Sequence, residues 1–145
     1  MTRRTHTRLS AMALLPGLIY FALVFALGFV LGIGRALFLQ AVPSAGRLTG
    51  VLIEVPIMLG ASWILCRDLV RRFAVVSTVV ARAVMGGLAF ALLLLAELLI
   101  GALLFGRGPA EHVALYAEAS YALGFLAQIG FGLMPLIQIR WVEKP

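Results

Sequence analysis

Four apolar stretches, 11–34, 48–66, 83–105 and 113–139, occupy most of this chain. Each reaches the roughly 20 residues that an α-helix needs to cross a bilayer core of about 30 Å. A segment in lipid has to satisfy its own backbone hydrogen bonds, which leaves only helices and closed β-barrels. Barrel strands read as short alternating segments, and none is present. The expected fold is therefore all-α: an integral membrane four-helix bundle of two hairpins, in a single domain over 1–145.

Composition closes off the soluble alternative. The chain is 63% hydrophobic and 12% charged, against a usual charged share of roughly 25%. A soluble domain of this length buries only about 70% of its surface and needs polar residues for the rest. The first apolar run exceeds the roughly 7–15 residues of a signal-peptide core, and no clear small-residue cleavage site follows it. It reads as a retained span.

The connections carry the orientation. The segment 35–47, "RALFLQAVPSAGR", reads as a turn-rich loop, and 106–112, "GRGPAEH", as a tight turn. The basic segment 67–82 extends two helices past the membrane, with Ser77 or Thr78 as a cap for the third. Nine basic residues lie on one side: Arg3, Arg4, Arg8, Arg67, Arg71, Arg72, Arg82, Arg140 and Lys144. Three lie on the other: Arg35, Arg47 and Arg107. The positive-inside rule then places both termini in the cytoplasm, with Trp63, Phe73 and Trp141 near the inner interface. The basic residues flank spans instead of alternating with aromatics, so lipid headgroups account for the net charge of +6 and nucleic acid is not expected as a partner.

Three carboxylates fall inside the apolar stretches. At 1.5 Å per residue, Glu54, Glu97 and Glu118 lie roughly 8–12 Å from the outer ends of their helices, and Arg35 sits just at the outer end of the first. Helical periodicity sets Arg35 on a face with Gly17, Phe21, Gly28 and Gly32, and Glu54 with Gly50, Met58 and Ala61. It sets Glu97 with Gly86, Phe90 and Gly101. In the fourth span Ala117, Tyr121, Gly124, Gln128 and Pro135 align, with Glu118 slightly off that stripe. Small residues let helices approach in lipid, and "GFVLG" (28–32) is a GxxxG match. The reading is a buried polar cluster of Arg35, Glu54, Glu97 and Glu118, with Tyr121 and Gln128 lining it and Arg35 the nearest neighbour of Glu54. Charges in lipid are costly and mark sites. The cluster either relays a cation or proton or fixes helix packing. Pro56, Pro16 and Pro135 read as tolerated kinks. "EVPIMLG" (54–60) and "EASYALG" (118–124) hint at two parallel hairpin repeats, against simple low-complexity coincidence.

Other chemistry finds no support. His6 and His112 fall on opposite sides, so no haem ligation is expected, and His112 beside Glu111 reads as a solvated loop residue. The single cysteine, Cys66, reads as a passive thiol. No metal, cofactor or enzymatic role is expected. The pattern "GR…LIEVP…W…RRF…AELLIGALLFGR" resembles small four-span inner-membrane proteins of proteobacteria over most of the chain. The resemblance implies the architecture and a bacterial inner membrane, and it implies no activity. Two functions remain from this reading. One is an accessory or structural component, homodimeric through small-residue faces or bound to a larger membrane partner. The other is a small ion- or proton-coupled transporter or channel using Glu54, Glu97 and Arg35.

Overall fold

A computed structural model describes the backbone of residues 2–141 and the side chains of residues 13–140. His6, Arg3, Arg4, Arg8, Trp141 and Lys144 therefore lie outside the described side chains. The helices are α1 (Thr2–Ala41), α2 (Arg47–Arg72), α3 (Val79–Phe105), the short α4 (Pro109–Ala114) and α5 (Ala119–Trp141). A 3-10 turn, Leu115–Ala117, joins the last two. Four of these helices are long and apolar enough to cross a membrane, and no strand occurs among the described residues.

Local chemistry sets the boundaries, and two differ from expectation. The first helix does not stop at Gly34. Ala36, Leu37, Leu39 and Gln40 are good helix formers, and the helix runs on until Pro43, which has no N–H to continue it. The fourth span does not begin at 113. Gly106 takes a left-handed φ of 63° to end α3. Pro109 then opens α4, whose Glu111 carboxylate accepts from the Gly108 N–H at 2.9 Å. Thr78 does cap α3, its hydroxyl accepting from the Ala81 N–H at 3.3 Å.

The four long helices form a ring in the order α1, α2, α5, α3, each touching the next. The backbones of α2 and α3, consecutive in sequence, do not approach each other, nor do those of α1 and α5. A two-fold repeat about the membrane normal would set α1 diagonally from α3, yet the two are neighbours. The hint of parallel repeats is not met.

The two ends of the ring differ. At the end holding the termini, Ala13, Tyr20, Val24, Cys66, Met85, Ala89, Phe131 and Met134 form a closed core. Helices meet tightly there. A Cβ on Gly86 would lie 2.0 Å from the Gly132 carbonyl oxygen, and one on Gly17 would lie 2.9 Å from that of Met85. Only glycine permits these crossings. The GxxxG pair behaves otherwise, since Gly32 has nothing within 4 Å and Gly28 meets only Met58. The other end, where residues 42–46 and 106–118 make the connections, is open inside.

Candidate functional site

Arg35 and Glu54 form an ion pair across the α1–α2 hairpin, the Nη1 group donating to Oε2. The approach depends on Gly50, one turn before Glu54 on the same face. A Cβ at that position would sit 2.8 Å from Cγ of Arg35, so the arginine stem lies where a side chain would otherwise stand. The side chains are 34% and 17% exposed, which makes this a half-buried pair.

Glu97 occupies a second corner, built from α3, α4 and the 3-10 turn. The Tyr116 hydroxyl donates to its carboxylate at 3.4 Å, a long bond. Burial pushes the Tyr116 phenol above the usual tyrosine range, and the neighbouring Glu97 carboxylate pushes it further the same way. The Tyr116 ring lies 4.9 Å from Phe125 and 5.8 Å from His112. His112 seats on Gly101, one turn beyond Glu97, where a Cβ would stand 2.9 Å from its Nδ1.

Both corners face one cavity of about 660 Å³. Arg35, Arg47, Glu54, Glu97, Arg107, His112, Tyr116, Tyr121 and Gln128 supply its polar lining, and Ser62 and Phe131 lie at its inner reach. At the open end Arg47 donates to the Tyr121 hydroxyl at 2.8 Å and stacks 5.2 Å from that ring. Arg107 stands 4.6 Å from the Phe105 ring. Five of the six residues assigned to the cluster or its lining thus share one space.

Glu118 is the exception. It is exposed and outside the cavity lining. The chain breaks at this point: Glu118 has extended backbone (φ −80°, ψ 135°) and its carbonyl accepts the Ala122 N–H. It is the residue that starts α5, where an acidic side chain complements the helix dipole in water.

Other polar residues are buried against expectation. His112 is 8% exposed, not a solvated loop residue, because the α4 turn folds it back onto the notch at Gly101. Arg82, placed among the flanking basic residues, is 1% exposed within the first turn of α3. Gln138 is buried and donates to the Trp63 carbonyl at 2.8 Å, tying α5 to α2. A polar residue with the period of the core face is the one signal that marks Arg82 and Gln138 in advance. No sequence signal marks His112, since its burial depends on a glycine in another helix.

No protein-family model, curated protein or solved structure matches this chain. The class follows from the fold alone: a multi-pass, all-α membrane protein with a mostly apolar cavity into which several charged and polar side chains are set.

Proposed function

We propose that the chain is a four-span protein of a bacterial inner membrane with both termini cytoplasmic, working as a small ion- or proton-coupled transporter or channel. The observation that carries this reading is the position of Arg35, Glu54 and Glu97 on a cavity rather than in a closed core. A pair that only stapled helices does not require adjoining space of that size, whereas a conducting or carrying group has to meet its ion there. The count of nine basic residues against three supports the orientation, which makes the open end periplasmic. The resemblance to proteobacterial four-span proteins supports the choice of membrane.

The test is proton and cation flux in liposomes holding the purified chain. Glu54→Gln is expected to lower flux at least about tenfold, in line with loss of an intramembrane charge that acts in transport. Absence of flux under every gradient, with Glu54→Gln changing only thermal stability, would overturn the reading.

One observation favours the second reading, an accessory component. The cavity ends blindly against Phe131 and Val24, beyond which the core is packed. A stoichiometric membrane partner co-purifying in mild detergent, without flux, would establish it.

A further inference from the structure

We propose that the cavity seats the chain of a long-chain fatty-acid anion, its carboxylate held at the mouth by Arg47 and Arg107. This goes beyond the transport reading and does not rest on it, since a bound chain is either cargo or a resident ligand.

The charges on the wall come first. Three arginines and two glutamates line the space. Arg35 is taken up by Glu54, and the Glu97 carboxylate accepts from the Tyr116 hydroxyl. Both carboxylates lie roughly 10–12 Å below the mouth, at 1.5 Å per residue of helix. Arg47 opens α2 and Arg107 follows the end of α3, so these two stand at the rim. Their contacts are aromatic, Arg47 with Tyr121 and Arg107 with Phe105. Neither is paired with a carboxylate among the described residues. The surplus charge at the mouth is therefore positive, and guanidinium groups bind a carboxylate through charge-assisted hydrogen bonds.

The shape suits a chain. Wall residues run from Arg47 to Ser62 on α2, from Val24 to Leu39 on α1 and from Ser120 to Phe131 on α5. These are depths of roughly 16–22 Å, against about 15 Å for one leaflet of the hydrocarbon core. One acyl chain with its head at the rim fills that depth. Glu97 stays in its corner on α3, and the wall diagonally across, on α2, offers Val51, Val55, Met58 and Leu59. The volume of about 660 Å³ lies in the range of organic ligand sites. Wall atoms that face a void lack dispersion partners, which a hydrocarbon chain supplies.

An approach from the bilayer exists at the aromatic corner. His112, Tyr116 and Phe125 line the cavity and also a second, apolar pocket of about 150 Å³. The rest of that pocket is Leu94, Leu98 and Val113, the last two exposed on the outside of the bundle. One layer of side chains thus separates the cavity from the surroundings of the bundle.

The experiment uses the full chain in phosphatidylcholine vesicles and palmitic acid carrying a photoreactive diazirine at its methyl end. Labelling is expected at the blind end, on Met58, Leu59 or Phe131, and is read by mass spectrometry of the peptides. Unlabelled palmitate is expected to compete, and its neutral methyl ester at least about tenfold more weakly, as loss of a charge-assisted bond implies. Arg47→Gln combined with Arg107→Gln is expected to reduce labelling by a similar factor. Arg140→Gln, at the other end of the bundle and outside the cavity lining, leaves it unchanged. Label confined to outward-facing positions such as Leu103, equal competition by the ester, or full labelling of the double variant would overturn the assignment. So would displacement by phosphatidylglycerol where palmitate fails, which would give the site to a phospholipid. Were the double variant to unfold, the labelled positions and the two competitors on the unmodified chain decide alone.

Discussion

The hydroxyl of Tyr20 donates to the carbonyl of Phe131 at 3.3 Å, joining two helices whose backbones stand on opposite corners of the ring. That carbonyl is the one Pro135 leaves without its helical donor, four residues on. The rings of the two residues also meet, with centroids 4.5 Å apart. Tyr20→Phe keeps the ring and strands a buried acceptor, at an expected cost of about 1–3 kcal/mol. Pro135→Ala returns an N–H to the helix, so the same substitution costs less in that background. Thermal unfolding of the four variants in micelles reads the coupling. Equal costs in both backgrounds would show that the carbonyl is not shared.

The Arg35–Glu54 pair lies between two regimes. An exposed pair contributes about 0–1 kcal/mol, and breaking a buried one costs about 3–5 kcal/mol. At 34% and 17% exposure the single variants Arg35→Leu and Glu54→Leu fall between these limits. The double variant is expected to be more stable than either single, because no lone charge remains. Chemical denaturation of the three variants measures this, and a double variant that sums the two losses would argue against the pair.

Glycine positions separate into two kinds. Gly86→Ala drives a methyl group into the Gly132 carbonyl, and overpacking of this sort costs roughly 1–3 kcal/mol or more. Gly32→Ala meets nothing within 4 Å and relieves a flexible helical position by roughly 0.5–1 kcal/mol. Opposite signs in melting temperature are the expected outcome.

Tyr116 gives a pH dependence with a defined sign. Its phenol keeps its proton in the folded chain at pH values where an unfolded tyrosine, with a pKa near 10, loses it. The folded state then binds more protons, so the contribution of Tyr116 is full below about pH 10 and declines as the pH rises further. The stability difference between the unmodified chain and Tyr116→Phe is expected to shrink across that range. A difference that stays flat would place Tyr116 in water.

Much of this arrangement follows from helical period. The spans come from apolar length and the Thr78 cap from its hydroxyl, while the helix faces that carry Arg35, Glu54, Tyr121, Gly124 and Gln128 come from spacing of 3.6 residues. What the period does not carry is contact between helices. His112 is buried by a missing side chain at Gly101, and Glu118 is expelled by a chain break that begins at Gly106. The Tyr20–Phe131 bond needs both a proline in one helix and a tyrosine in its diagonal opposite, which no single helix reveals.

The ring order also dictates how the chain is put together as it is made. Until α5 emerges, α1 is the common neighbour, with α2 on one side and α3 on the other, and the circle stays open. The last helix to be synthesised touches both free partners and completes it. The turn at 73–78 thus links two helices that do not depend on each other. A chain severed there divides between two hairpins that retain every interhelix surface needed to find one another again.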